Sequence, residues 1–106
     1  MSTYLKLAVF VPESHADVVR QALGEAGAGK LGNYAFCSFS VKGTGRFLAL
    51  PGAAPALGTV GKLETVEEER IEVLVPRAIL AEVLAAMKAA HPYEEVAYDI
   101  YPLEDM

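Results

Sequence analysis

One cysteine, two histidines and nine basic residues are a thin supply of reactive and cationic chemistry for a 106-residue chain. A lone Cys37 excludes an internal disulfide and any multi-thiolate metal site, and its apolar neighbours predict a buried thiol. With fourteen acidic residues against nine basic ones, the net charge of -5 disfavours a nucleic-acid backbone or an anionic membrane surface as partner. No apolar run approaches the ~20 residues of a membrane span. The opening Met1-Ser2-Thr3-Tyr4-Leu5-Lys6 is unlike a secretory signal, so a cytoplasmic location is expected.

What the chain does contain is apolar bulk: 53% hydrophobic residues against 22% charged. A single domain over residues 1–106 with one core is expected, with some of the apolar excess sealing a subunit interface. Tyr4 to Val11 alternates as a strand that Pro12 stops. A helix follows, with Ser14 as its predicted cap, a stripe of Ala16, Val19, Leu23 and Ala26, and Gly27 at its end. Tyr34–Lys42 and Arg46–Leu50 predict a β-hairpin turning at Gly43-Thr44-Gly45. Pro51–Gly61 reads as a loop, and Leu63–Val75 as a long strand in which Glu67-Glu68-Glu69 forms a solvated edge.

Pro76 opens a second helix striped by Ile79, Leu80, Val83, Leu84 and Met87. His91-Pro92 ends it, and Val96–Tyr101 is the last strand. The two halves superpose at an offset of 64 residues: Val11-Pro12 falls on Val75-Pro76, Val19 on Val83, Ala22 on Ala86, Ala26 on Ala90 and Tyr34 on Tyr98. Two such strand-helix-strand units predict an α+β, ferredoxin-like fold: an antiparallel sheet with both helices on one face. The helix-free face is expected to be apolar and covered by neighbouring subunits.

Gly24 to Leu31 matches most of a phosphate-binding P-loop, and Gly27 to Gly32 a GxGxxG. Both motifs need their glycines ahead of a helix, where backbone amides face phosphate, and here the glycines trail one. Glycine-bearing turns also place cations at Lys30, Lys42, Arg46 and Lys62. Converging across a subunit boundary, these would bind a small anion or nucleotide. His91-Pro92-Tyr93-Glu94-Glu95 gathers an imidazole and two carboxylates, a half-site for a divalent metal built on His91, Glu94 and Glu95. His15 is the only other histidine, so remaining ligands would come from Asp99 or another subunit. The plainer reading is that His91 sits at a helix C-terminus where the chain turns. Ser38, Ser40 and Cys37 have no neighbouring base, and no catalytic constellation is apparent.

Four strings, Gly32–Phe39, Gly43–Phe47, Gly58–Glu64 and His91–Asp99, resemble the PII-like and CutA-like domain inserted in the Nif-three-like (YqfO-type) proteins. The resemblance spans nearly the whole chain. It implies a ferredoxin-like fold, a homotrimer, and small-molecule or divalent-metal sensing rather than catalysis. The metal ligands and cyclohydrolase-like activity of that family are expected on the flanking scaffold, not on these residues. The reading that follows is a non-enzymatic binding or regulatory module with sites in subunit clefts, the alternatives being a CutA-type metal-binding protein or a structural protein-interaction domain.

Overall fold

The computed structural model describes residues 3–104. Leu5, Leu7, Val9 and Val11 of strand β1 (Tyr4–Pro12) alternate onto one side of the chain, and all four are buried. Helix α1 (Ala16–Glu25) covers them with Ala16, Val19 and Leu23, and helix α2 (Leu80–Ala90) with Val83 and Met87. Strand β3 (Leu63–Pro76) completes this core through Ile71, Val73 and Val75. Strand β2 (Phe39–Leu48) and strand β4 (Tyr98–Pro102) form the edges of one antiparallel sheet, in the order β2-β3-β1-β4. This is the expected α+β, ferredoxin-like arrangement.

The 64-residue offset describes the first half of each unit closely. Pro12 and Pro76, with ψ of 144° and 133°, each end a strand and lead through a 3-10 turn, Glu13–His15 or Arg77–Ile79, into a helix. Fixed φ and an absent N–H make proline suited to that junction. Ser14 does not cap α1: its Oγ lies 2.9 Å from His15 Nδ1 inside the 3-10 turn. The offset breaks after the helices, because Tyr98 opens β4 whereas Tyr34 sits in a loop paired only with Leu31.

That loop closes α1 with a Schellman motif, in which Ala28 N–H donates to Leu23 O at 3.0 Å and Gly27 N–H to Gly24 O at 3.1 Å, with Gly27 at φ 106°. Gly29, at φ 78°, then donates to Leu74 O and accepts from Cys37 N. These bonds bring the loop back to the sheet.

Four further expectations are corrected. The 43–45 segment is no hairpin turn: β2 runs straight through Gly43-Thr44-Gly45, each residue paired with β3. Glycine fits an extended edge strand as readily as a turn, and pairing with β3 selects the strand here. The Glu67–Glu69 run is not an edge, because β3 is paired on both sides. Strand alternation separates the three carboxylates: Glu67 and Glu69 pair opposite Thr44 and Lys42, while Glu68 points to the other face opposite Gly43. Glu69 is held by Arg20 at 2.5 Å, which ties α1 to the sheet.

The helix-free face is not uniformly apolar. A half-buried charge row crosses it, with Lys6 Nζ 3.3 Å and Arg70 Nε 3.2 Å from Glu72 and the Arg70 guanidinium 5.7 Å above the Phe10 ring. Phe39 and Val41, at 66% and 50% exposure, flank that row. Cys37 is half-buried in the loop and not in the core.

Gly29→Ala is expected to cost about 2–4 kcal/mol, because a Cβ at that positive φ would strike the Cys37 backbone, which cannot retract as a side-chain tip can. Gly43→Ala, facing open space in the strand, should stay within about 0.5 kcal/mol of the wild type. Urea denaturation of both variants measures the contrast, and equal losses would refute this account of the loop.

Candidate functional site: a cleft on the helix-free face

The connection from α2 to β4 does more than turn the chain. His91 is 7% exposed and spends both ring nitrogens on backbone: Nε2 lies 2.8 Å from Phe10 O, and Tyr93 N–H donates to Nδ1 at 3.1 Å. One neutral tautomer, protonated on Nε2, satisfies both bonds. Phe10 N–H in turn donates to Ala97 O at 3.1 Å. Residues 91–97 are thereby pinned to the end of β1, and Tyr93 is delivered to the side of the sheet that the helices leave bare.

There Phe10, Gly45, Phe47 and Glu68 share one face by register. With Tyr93 and the loop following β2, they enclose a cleft of about 690 Å³. Ala49, Leu50, Ala53, Pro55 and Leu57 supply its apolar outer wall. That loop is itself held, since Gly61 N–H donates to Ala49 O at 2.8 Å and Ala54 N–H to Glu94 Oε1 at 2.8 Å. The Phe47 and Tyr93 rings meet edge to face, centroids 5.9 Å apart.

Glu68 is the polar feature of the cleft floor. Burial pushes its carboxyl above the usual carboxylate range, only partly offset by the Tyr93 hydroxyl. Burial and the nearby Glu68 charge raise the Tyr93 phenol in turn. Tyr93 Oη is buried and turned toward that carboxylate, and a phenol oxygen facing a carboxylate keeps lone pairs for a further donor. Gly45 makes the arrangement possible, because a Cβ there would occupy the space of the Glu68 carboxylate.

The residues singled out in the sequence are dispersed around this cleft. Arg46 lines it, as do Glu94 and Glu95. Lys42 instead lies 3.6 Å from Glu13 and Lys62 3.9 Å from Glu64, while Lys30 is exposed beyond α1. His91 stands behind the cleft wall with both nitrogens engaged, and among the described residues no group of three His, Cys, Asp or Glu side chains gathers as a metal would require. Sequence reasoning missed Phe10, Phe47, Glu68 and Tyr93. The signal available was the period of two in β3, which sends the middle glutamate of three away from its neighbours.

No family model matches the chain. A 98-residue stretch is 56% identical to the GTP cyclohydrolase 1 type 2 homolog of Mycobacterium bovis, covering 92% of this chain and 26% of the relative. The homolog of that name from Bacillus subtilis is 54% identical over 99 residues, again with 26% of its length covered. The chain thus spans about a quarter of the curated relatives it matches. Among solved structures, a Bacillus cereus protein related to NIF3 superposes with a TM-score of 0.83 at 52% identity, over 96% of this chain and 26% of that one. The periplasmic divalent cation tolerance protein CutA from Archaeoglobus fulgidus superposes with a TM-score of 0.69 at 20% identity, over 97% of this chain and 86% of its own, a likeness of fold. The chain is related to a segment of the NIF3-related proteins and shares the CutA fold.

The imidazole clamp has a pH signature. Burial lowers the His91 pKa below its ordinary 6.5, against a smaller raising effect of the Phe10 carbonyl. As pH falls through 6.5 the unfolded chain takes up a proton that the folded chain refuses, so the clamp's contribution is complete above that pH and declines below it. His91→Gln should be less stable than the wild type at pH 7.5, and the gap should narrow by pH 5.5. Urea midpoints at both pH values measure it, and a gap independent of pH would show that His91 is not held neutral.

Proposed function

We propose that this chain is a small-molecule-binding regulatory module whose site is the cleft between β2, β3 and the 91–97 connection. The observation that carries this reading is the polar pair of Glu68 and Tyr93 Oη at the floor of an apolar cleft of about 690 Å³. Ligand sites commonly occupy 300–1,000 Å³, with apolar walls and a few convergent polar groups that fix orientation. A carboxyl and a phenol set together at the floor of an apolar cleft are polar groups able to fix a ligand's orientation. The cleft is favoured over a metal centre on His91, Glu94 and Glu95 because the imidazole has no free lone pair to offer. Arg46, at the rim, is the one candidate cation that could contact a ligand in this cleft within the same chain.

Assembly belongs to the same proposal. The edge strand β2 leaves Phe39, Val41 and Leu48 at least 48% exposed, and Leu63 opposite Leu48 is 66% exposed. Apolar side chains along an unpaired strand edge favour contact with another copy. A homotrimer, the assembly implied by the PII-like and CutA-like resemblance, would cover them.

Two outcomes are expected. In a thermal-shift screen of a diverse fragment library, the wild type should give stabilising hits that Ala53→Trp, which places an indole in the cleft, no longer gives. An absence of hits, or hits untouched by the filling substitution, would overturn the site. Native mass spectrometry should return three times the 11.3 kDa chain mass, and a monomer at micromolar concentration would remove the trimer.

A further inference from the structure

The geometry points to a small organic cation, a flat or compact amidinium or ammonium group on an apolar body, as the ligand class of the cleft. This inference rests on the cleft being a ligand site and adds what that ligand must be.

Charge balance is the first argument. The ionisable side chains lining the cleft are Glu68, Glu94, Glu95, Tyr93 and a single cation, Arg46. Arg46 cannot serve as the partner of Glu68 from the floor. By register it pairs opposite Thr65 on the helix side of β2, whereas Glu68 projects to the bare side opposite Gly43. No basic group contributes to the Glu68 titration, which responds only to burial and to Tyr93. A half-buried carboxyl without a counter-charge is harder to ionise than one in open water, and a cationic guest offsets that on arrival.

Ring placement supplies the second argument. Phe10, Phe47 and Tyr93 all line the same cleft, and Phe47 and Tyr93 stand edge to face. Aromatic faces attract cations through the ring quadrupole. Phe10 already receives the Arg70 guanidinium at 5.7 Å from its centroid, so a cation on an aromatic ring is a contact this sheet face already makes. An anion would meet Glu68 and the same ring faces with the opposite sign.

The third argument is hydrogen-bond supply. The Glu68 carboxylate offers acceptors, and Tyr93 Oη, buried beside it, offers another lone pair. An amidinium or primary ammonium donates to both. The missing Cβ of Gly45 keeps the carboxylate against the strand, leaving the volume above it for the guest.

The test is an amide-resolved NMR titration of the full chain with benzamidine, benzamide and benzoate, which share a ring and differ in charge. Benzamidine is expected to perturb the Gly45, Phe47, Ala53 and Tyr93 amides saturably, with benzamide at least fivefold weaker and benzoate silent. Glu68→Gln, close in shape, should weaken benzamidine at least tenfold, and Tyr93→Phe severalfold, with both spectra remaining dispersed as evidence of folding. Should benzamide or benzoate bind at those amides as tightly as benzamidine, or should Glu68→Gln leave benzamidine unchanged, the cation preference falls while the cleft stands as a ligand site. If benzamidine perturbs only amides elsewhere, or none of the three probes moves a cleft amide, the cation inference falls. The fragment screen then decides separately whether the cleft binds anything.

Discussion

The neutral imidazole of His91 joins the two faces of the sheet. Its side chain lies at the end of α2, against the core, yet one nitrogen meets the Phe10 carbonyl and the other the Tyr93 amide. Those bonds, with Phe10 N–H to Ala97 O and Ala54 N–H to Glu94 Oε1, fix the path of the six residues before β4 around the end of β1. Charging the ring would put a proton where Tyr93 already donates, so the clamp exists only while the ring is neutral. Burial enforces that state and position together.

From that clamp follows the division of labour across the sheet. On one face Leu7, Val9, Ile71, Val75, Val19, Leu23, Val83 and Met87 exclude water almost completely. Burial of that kind contributes roughly 1.5–3 kcal/mol per large side chain and accounts for most of the fold's stability. The opposite face has no helices and uses charge instead, with Glu72 between Lys6 and Arg70. Ion pairs so exposed contribute little to stability. They do keep a bare sheet face from being wholly apolar, and they confine its open apolar volume to the end where the 49–57 loop and Tyr93 close over β2 and β3.

Glu68 shows how close neighbours in sequence can differ in chemistry. Glu67 is exposed, Glu69 answers Arg20 of α1, and Glu68 lies in a cleft that raises its proton affinity. Strand alternation turns Glu68 to the face opposite Glu67 and Glu69, and the reach of Arg20 then separates those two. The relatives carry this unit as about a quarter of longer chains.

Local pattern was enough to specify most of the scaffold. Alternation in β1 and β3, the apolar stripes of α1 and α2, and prolines at 12 and 76 each express a backbone preference that neighbours within a few residues determine. The ferredoxin-like order follows from that pattern repeated. Tertiary structure alone decided the rest. Whether Gly43-Thr44-Gly45 turns or extends depends on β3 lying alongside, and whether a carboxylate is solvated depends on which strand lies beyond it. Phe10, Phe47, Glu68 and Tyr93 are up to 83 positions apart in numbering, and only sheet register and one buried imidazole bring them to a common wall.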